Sequence, residues 1–569
     1  MRDPRCKEPP HMPVATSSKR SGARAGRKKR SVKSGAARKG SAKPARAARA
    51  GKRPVKARGG AGARIGRDPY AQLLAELREI AVLASVSTTI SWDQETCMPE
   101  KGADLRAEQL KTLSAMIHER RTSKRFGELL AACEQSRTLK GDAGAQANLR
   151  DLRRQYDRAT KLPTTLVAEL ASTFSLGMTA WRDARAKSDF SLFLPWLEKT
   201  FELNRAKAKC WGIPAGGREL YDALLDDFEP GMTVAGVSAV FEPLKNGLLP
   251  LIERVTKASN RPTERLLRLD TPIEKQKEFC TAVCRAIGFD FEAGRMDEST
   301  HPFCEGIGPG DTRMTNRYRA DGWLDSLSTA MHESGHGLYE QGLPKRECFG
   351  QPLGEYISLG IHESQSRMWE NLVGRSRPFW TWAIEVAREI FKPRLEGVDA
   401  EEAYRAANLI RPNLIRVESD ELTYNLHIML RFDLERAMLG GELSCADLPG
   451  EWNRRIKSDL GLTVPDDRRG CLQDVHWSMG AVGYFPTYTL GNIYASQFWE
   501  AMAKDIPDRE QQMARGEFGS ILAWLRRNIH AHGRRYTAGE LCKMVTGAPL
   551  SIEPLLRHLS NKARMVYGV

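Results

Sequence analysis

The sequence lacks several common signals, and each absence excludes a class of protein. Its 569 residues contain no apolar run of about 18 residues, so no membrane-spanning helix is predicted. The N-terminal region lacks the apolar core of about 7 to 15 residues that marks a secretory signal. The 11 cysteines are dispersed without a CxxC pair, which indicates reduced and mostly buried thiols. We therefore expect a soluble, cytoplasmic protein that makes no contact with membranes.

An excess of positive charge is also missing from most of the chain, although the net charge is +16. Residues 1–67 hold 22 Lys and Arg against 2 Asp and Glu, so the remaining 502 residues carry a net charge of −4. This N-terminal tail has almost no large apolar residue, and burial cannot offset the entropy of ordering it, so we predict that 1–67 is disordered. Without aromatic residues among its basic ones, the tail suits unspecific contact with polyanions. A targeting segment or a solvated appendage is the alternative.

The remainder, residues 68–569, has the apolar periodicity of α-helices. It contains no glycine-rich phosphate loop, no alternation of strands with helices and no internal repeat of about 20 to 50 residues. Helices are predicted over Tyr70–Ala84, Leu105–Ile117, Ala145–Ala159 and Thr164–Arg185, the last of them with Pro163 at its start. Because no linker follows residue 68, the sequence predicts one large, mainly α-helical domain.

The most informative segment is the H-E-x-x-H motif from His332 to His336. In a helix its two histidines lie one turn apart on the same face, so both can bind one metal ion. Glu333, next to the first histidine, then points toward a metal-bound water. Glu363 lies 27 residues past His336 and can supply a third ligand, which leaves one coordination position for water and substrate. This arrangement is typical of a catalytic zinc site rather than a structural one.

The residues around the motif favour a packed helix over a surface helix whose histidines are four apart by chance. Its packed side is formed by apolar residues at helical spacing, namely Leu324, Leu327, Met331 and Leu338. Upstream, Asp325, Ser326 and Ser328 offer capping groups. Gly335 and Gly337 would each cost a helix about 1 kcal/mol relative to alanine. Glycines at these positions indicate that another chain segment or a substrate backbone approaches closely.

One stretch, Thr300–Gly322, has no helical periodicity and is rich in glycine and proline. Within it, Asp311–Tyr318 is predicted to form a short strand or β-hairpin. The segment immediately precedes the motif helix, so we expect a small sheet beside the active site. Zinc peptidases often use such a sheet edge to pair with the substrate backbone.

A set of further motifs occurs in order along residues 68–569. The motifs are Trp92-Asp93-Gln94-Glu95-Thr96, Met98-Pro99, His301-Pro302-Phe303, Asp311-x-Arg313-x-Thr315, His332-Glu333-x-x-His336, His362-Glu363-Ser364-Gln365-Ser366-Arg367, Ile415-Arg416, Asp420-Glu421-x-Thr423-Tyr424 with His427, Gln473-Asp474-x-His476-Trp477 and Gly483-Tyr484-Phe485-Pro486-Thr487-Tyr488. Together they resemble the carboxypeptidase Taq family of thermostable metallocarboxypeptidases. The basic tail is the chief departure from the family pattern and touches no motif position.

This resemblance implies a nearly all-helical, neurolysin-like saddle with a deep groove, assembled as a homodimer. It also implies the release of single C-terminal residues from peptide substrates with broad specificity. By match to the motifs, His332, His336 and Glu363 hold the metal, and Glu333 is the catalytic carboxylate. The expected cofactor is one Zn2+ per subunit, with Co2+ or Mn2+ as alternatives.

The reaction needs a base, a donor to the developing oxyanion and a partner for the substrate carboxylate. We expect Glu333 to take the proton of the zinc-bound water during its attack and to pass it to the leaving amine. Candidate donors to the oxyanion are His427, Tyr424, His476 and Tyr488. Arg416, assisted by Tyr488, is the candidate that binds the free carboxylate of the substrate. Alternatively, Arg416 forms a structural ion pair with Glu418 or Asp420.

Two other functions fit part of the sequence. A zinc oligopeptidase or endopeptidase could use the same fold and site, because an H-E-x-x-H motif with a downstream glutamate serves both kinds of enzyme. From another class, a nucleic-acid-associated protein would act through its basic tail, and its binding would depend on salt concentration.

Overall fold

Helices make up most of the chain in the computed structural model, which describes residues 68–569. The predicted disordered tail, with its proposed polyanion contact, lies outside the described residues. Within the described part, nine α-helices precede a small sheet. They are α1 (Pro69–Thr96), α2 (Ala103–Arg121), α3 (Lys124–Glu134), α4 (Ala143–Lys161), α5 (Thr164–Lys187), α6 (Leu194–Trp211), α7 (Leu220–Phe228), α8 (Val234–Lys257) and α9 (Ile273–Ala286).

The helices predicted in this half are confirmed as α1, α2, α4 and α5, and each extends beyond its predicted range. The N-terminus of α4 is capped by Asp142, whose carboxylate accepts hydrogen bonds from the backbone N–H groups of Gly144 and Ala145. The α5 helix directly follows Pro163, whose fixed φ suits the entry to a helix. Apolar residues of α1, α3 and α4 form a small core of their own, which consists of Leu73, Leu77, Ile80, Phe126, Leu129, Leu130, Cys133, Leu149 and Leu152.

The sheet contains the strands β1 (Gly294–Glu298), β2 (Cys304–Gly308) and β3 (Asp311–Asn316). The central strand is β3, which pairs antiparallel with β2 and parallel with β1. The β2–β3 pair is the predicted hairpin, and Gly310 in its turn has a φ of +81°, which glycine adopts without strain. The sequence does not predict β1, because its charged residues are not those typical of strands.

Eleven α-helices follow the sheet in the described chain. They are α10 (Trp323–Gly342), α11 (Leu359–Arg367), α12 (Arg377–Ile390), α13 (Ala400–Ala407), α14 (Tyr424–Gly440), α15 (Leu448–Leu460), α16 (Pro486–Asp505), α17 (Arg509–Ala514), α18 (Gly519–Asn528), α19 (Ala538–Thr546) and α20 (Glu553–Tyr567). A π-helical segment, Met368–Val373, continues α11. The mainly α-helical class with a small sheet is therefore confirmed. No helix within residues 68–569 is both long and apolar enough to cross a membrane.

The start of α10 differs from the prediction. The capping role assigned to Asp325, Ser326 and Ser328 is wrong, because the helix already begins at Trp323. Trp323 is fully buried, and its indole N–H donates a hydrogen bond of 2.8 Å to the Leu266 carbonyl oxygen. Burial of this large ring fixes where the helix begins, and the three polar residues lie inside its first two turns.

Glycines allow α10, α11 and α16 to pack at very short distances. A Cβ atom on Gly335 of α10 would lie 2.5 Å from the Cα atom of Ser366 in α11. A Cβ atom on Gly491 of α16 would lie 2.6 Å from the Cβ atom of Glu363 in α11. The prediction that another chain segment approaches Gly335 is thus confirmed, and that segment is α11. This packing brings Glu363 next to the motif helix.

Candidate active site

The three predicted metal ligands meet between α10 and α11. His332 and His336 lie one turn apart on α10, and Glu363 lies on α11. The Nε2 atoms of His332 and His336 are 3.7 and 3.4 Å from Oε2 of Glu363. One ligand atom from each residue lies within 4.8 Å of the other two. Within residues 68–569 this is the one such cluster of histidine, cysteine and acidic side chains.

The cluster fits a divalent metal ion. Ligand atoms about 2.0–2.2 Å from a tetrahedral zinc ion lie about 3.3–3.6 Å from one another. The distances from Glu363 to the two histidines are close to this range. Two imidazole nitrogens and one carboxylate oxygen are also a donor set of catalytic zinc sites. The residues present therefore suit the metal that the motif predicts.

Glu370, in the π-helical segment, holds the ring of His332. Its Oε2 lies 2.9 Å from Nδ1 of His332. Glu370 in turn accepts hydrogen bonds from Arg367 at 3.1 Å and from Ser328 at 2.9 Å. A carboxylate at Nδ1 keeps the imidazole proton on that nitrogen, so that Nε2 is free to bind a metal.

Glu363 is buried and remains ionised. Its Oε1 accepts a hydrogen bond of 2.6 Å from Arg367, and its Oε2 accepts one of 3.0 Å from Ser366. Burial alone would raise the pKa of Glu363, but Arg367 and the two histidines hold it well below its ordinary value. A charged carboxylate in a buried position that faces two imidazoles is suited to bind a cation.

A third histidine, His362, which is not one of the predicted ligands, contacts His336. The Nδ1 atoms of the two rings lie 2.5 Å apart. Burial lowers the pKa of His336 to about 4, so its ring is neutral at neutral pH. The neutral imidazole is the form that binds metals.

Glu333 lies on α10 and is buried, with 6% of its surface exposed. Burial raises the pKa of Glu333 to about 7, with a further increase from the nearby Glu363 that His332 opposes. A carboxyl group with a pKa near neutrality can both accept and return a proton. The surroundings of Glu333 therefore suit the predicted base.

Three of the four predicted oxyanion donors, Tyr488, His476 and Tyr424, lie together. The Nε2 atom of His476 is 3.2 Å from the Tyr488 hydroxyl, and the rings of Tyr424 and Tyr488 are 6.2 Å apart. Tyr484, a motif residue that is not among the predicted site residues, stacks edge-to-face on Tyr488 at 5.3 Å. Burial raises the pKa of all three phenols, and the charge of Glu363 adds to the increase. The tyrosines therefore stay protonated and can donate hydrogen bonds.

Arg416 is buried against two of these tyrosines. Its Nη1 donates a hydrogen bond of 3.0 Å to the hydroxyl of Tyr424. Its guanidinium carbon lies 4.9 Å from the ring centre of Tyr488. A guanidinium that contacts two tyrosines in a water-poor region can bind a carboxylate together with their hydroxyl groups.

The ion-pair partner of Arg416 is Asp474, at 3.0 Å from Nη2. The alternative pairing of Arg416 with Glu418 or Asp420 is therefore wrong, because that part of the chain turns Arg416 inward toward Asp474. Asp474 also accepts hydrogen bonds from Arg431, which is completely buried. Two guanidinium groups thus share one carboxylate, and the Arg416–Asp474–Arg431 cluster keeps one excess positive charge.

His427, the remaining predicted oxyanion donor, is completely buried on α14. Its Nε2 donates a hydrogen bond of 3.0 Å to the carbonyl oxygen of Asn413, and its Nδ1 has no partner among the described residues. Burial, together with Arg431 and Arg416, lowers the pKa of His427 to about 3. None of the hydrogen bonds between described residues connects His427 to the three ligands, so its position favours a structural role.

The sequence analysis does not predict two acidic residues near the site, Glu340 and Glu370. Glu340 lies four residues after His336 on α10 and accepts a hydrogen bond of 2.9 Å from His362. Side chains four residues apart share a helix face, so this spacing is a signal that could have identified Glu340. Glu370 is harder to find, because the π-helical segment changes the spacing after α11.

Replacing any one of the three ligands with alanine is expected to lower the metal content of the purified protein. Two ligands hold an ion much less tightly than three, so His332→Ala, His336→Ala and Glu363→Ala should each fall below one equivalent after dialysis. Metal analysis of the dialysed proteins checks this. A full, tightly held equivalent in the Glu363→Ala variant would remove Glu363 from the ligand set.

Comparisons with known proteins find relatives over most of the chain. The family model described as carboxypeptidase Taq (M32) metallopeptidase matches residues 72–563. Thermostable carboxypeptidase 1 of Thermus thermophilus is 44% identical over 507 residues, which cover 88% of this chain and 99% of that protein. Carboxypeptidase 1 of Bacillus subtilis is 38% identical over 492 residues, which cover 86% of this chain and 97% of that protein. The crystal structure of an M32 carboxypeptidase from Deinococcus radiodurans matches with a TM-score of 0.85 at 38% identity, covering 88% of this chain and 100% of the other.

Proposed function

The chain belongs to the carboxypeptidase Taq (M32) family of metallopeptidases, and we propose that it releases single residues from the C-termini of peptides with broad specificity. The observation that carries the proposal is the partly buried cluster of His332, His336 and Glu363. Tyr424 and Arg416 support the exopeptidase part, because they offer a partner for a free carboxylate and Tyr424 contacts Arg367, which bonds Glu363. We also propose a homodimer, which light scattering of the purified protein would test.

His332, His336 and Glu363 would hold one zinc ion per subunit, and this donor set also accepts cobalt or manganese. Zinc bound there would polarise the scissile carbonyl group and lower the pKa of a bound water to about 7. The surrounding chain prepares the ligands for this task. Glu370 supports the orientation of His332, and Arg367 keeps Glu363 charged.

Glu333 acts as the base in this proposal. It accepts a proton from the attacking water and gives it to the amine of the leaving residue. Its burial supports the role, because a carboxylate that is only weakly solvated binds a proton more readily than an exposed one. A pKa of about 7 allows both transfers near neutral pH.

Tyr488 donates a hydrogen bond to the oxyanion, with His476 as its supporting residue. The Nε2–H group of His476 can donate to the Tyr488 oxygen at 3.2 Å, which polarises the phenolic O–H bond. His476 can do this as a neutral ring, because burial and Arg416 lower its pKa to about 3. Tyr424 is placed to donate as well, since its oxygen accepts a hydrogen bond from Arg416 and its own proton has no acceptor among residues 68–569.

Arg416 binds the free carboxylate of the substrate. The excess positive charge that it shares with Arg431 and Asp474 is suited to one additional anion. Tyr424 links this cluster to the ligands, because the guanidinium carbon of Arg367 lies 4.3 Å from the Tyr424 ring centre and Arg367 contacts Glu363. Recognition of the chain end thus lies close to bond cleavage, as removal of one residue requires.

A pair of peptides distinguishes this activity from that of an oligopeptidase or endopeptidase on the same fold. Both peptides are acetylated at the N-terminus, and one has a free C-terminal carboxylate while the other has a C-terminal amide. We expect stepwise loss of single residues from the acid and almost no cleavage of the amide, measured by mass spectrometry over time. Internal cleavage of both peptides at equal rates would contradict the carboxypeptidase proposal and support the alternative.

A further inference from the structure

We propose that His362 is a positioning residue, which fixes the tautomer and orientation of His336 and thereby sets the affinity of the site for its metal. This inference rests on the metal site proposed above. Both ring nitrogens of His362 are in use: Nδ1 lies 2.5 Å from Nδ1 of His336, and Nε2 lies 2.9 Å from Oε1 of Glu340. His362 therefore supports a ligand and is not itself one.

The charge of Glu340 determines where the protons lie. Glu340 forms a buried ion pair with Lys345, so it is a carboxylate and can only accept hydrogen bonds. Nε2 of His362 must then carry a proton, which it donates to Glu340. This leaves Nδ1 of His362 as an acceptor, and the Nδ1 proton of His336 is donated to it. The remaining nitrogen of His336, Nε2, is unprotonated and faces Glu363.

The reverse assignment is unfavourable. If Nδ1 of His362 carried the proton, Nε2 of His362 and Oε1 of Glu340 would be two acceptors facing each other at 2.9 Å. The Nε2 atom of His336 would then carry a proton, which blocks metal binding. The buried Lys345–Glu340 pair thus selects, through His362, the tautomer of His336 that binds a metal.

The ring of His362 is also held in place by aromatic neighbours. The rings of Tyr356 and Tyr339 lie 4.8 and 5.2 Å from it, and the His362 side chain is 11% exposed. Lys345 lies 3.4 Å from the carbonyl oxygen of Gly306 in β2, so the chain of contacts is anchored on the sheet. A ring fixed at both nitrogens and on its faces can orient His336 with little freedom.

Zinc affinity, measured by competition with a chromogenic chelator, tests the inference without any measurement of activity. His362→Ala should weaken zinc binding by about 10- to 100-fold, the usual effect of removing an outer partner of a ligand. His530→Ala is the matched control, because His530 is completely buried, packs 5.0 Å from the same Tyr339 ring and bonds Gln365. It contacts no ligand in the described structure, so its zinc affinity should stay within about twofold of wild type.

Two amide variants separate hydrogen bonding from packing. The oxygen of asparagine can occupy the place of Nδ1 and accept from His336, whereas the nitrogen of glutamine takes the place of Nε2 and can only bond Glu340. His362→Asn should therefore keep most of the zinc affinity, and His362→Gln should lose as much as His362→Ala. Thermal melting of the metal-free variants shows whether each is folded. If His362→Ala is unstable, the zinc affinities of His362→Asn and His362→Gln still show whether the hydrogen bond to His336 matters.

The outcomes distinguish this inference from the metal site on which it rests. If His336→Ala binds zinc as tightly as wild type, the proposed site itself is wrong. If His336→Ala loses zinc while His362→Ala binds it within about twofold of wild type, only the role of His362 is overturned. Equal retention of affinity by the asparagine and glutamine variants would overturn it as well, because packing alone then explains the position.

Discussion

Glu333→Gln is expected to lower kcat by about 100- to 10,000-fold while the metal content stays at one equivalent. The amide has nearly the size and shape of the carboxylate but cannot accept the proton of the attacking water. The burial that raises the pKa of Glu333 to about 7 makes the carboxylate a good base, and the amide has no comparable basicity. Glu333 is not among the three ligand residues, so the cluster is left intact.

Steady-state kinetics with metal analysis of the same samples measure both effects. Glu363→Gln is the matched control, because the same chemical change on the facing helix replaces a charged ligand with a neutral one and should lower metal content as well as kcat. If Glu333→Gln kept more than about a tenth of the wild-type kcat, the barrier would have risen by less than about 1.4 kcal/mol. The role of Glu333 as the base would then be wrong.

Arg416→Ala is expected to lower kcat/KM for a peptide with a free C-terminal carboxylate by about 30- to 1,000-fold, or about 2–4 kcal/mol. The variant loses a charge-assisted contact in a buried region, where such contacts are strong. Asp474 keeps Arg431 as its partner, so the substitution does not leave an unpaired carboxylate in the interior. A peptide with a C-terminal amide lacks the contact from the start, and its slow turnover should change little.

The comparison between acid and amide substrates separates recognition from stability. Arg431 shares Asp474 with Arg416 but is completely buried and donates to the His427 carbonyl oxygen, which makes it the matched control. Arg431→Lys should lower kcat/KM for the acid and the amide peptide in the same proportion. Arg416→Lys should lower mainly kcat/KM for the acid peptide, because lysine lacks the bidentate fork. Equal proportional losses for Arg416→Ala on both substrates would show that Arg416 is structural.

The residues that bind the metal are predictable because their signal is local. His332 and His336 are four residues apart, and the geometry of a helix then determines that they share one face. The same reasoning predicts α1, α2, α4, α5 and the hairpin, since each depends on neighbouring residues. Gly335 is an informative intermediate case, because its low helix propensity predicts a close contact without identifying the partner.

Contacts between distant parts of the chain are what the sequence does not predict. Arg416 and Asp474 are 58 residues apart, and the nearer acidic residues gave the wrong pairing. The predicted start of α10 is wrong for a related reason. Burial of Trp323 against the chain near Leu266 outweighs the local preference for capping residues. Such choices depend on tertiary packing, which overrides local propensity.

The π-helical segment Met368–Val373 makes the site sensitive to the number of residues in the chain. A π-helical turn accommodates one more residue than the same turn of an α-helix. Deletion of a single residue between Arg367 and Glu370 would convert this turn to α-helical geometry and remove the π-helical turn on which Glu370 lies. Glu370 would then leave His332 although no functional side chain had been replaced. An insertion or deletion at this point is therefore expected to disturb the support of His332 in the same way as a substitution of Glu370.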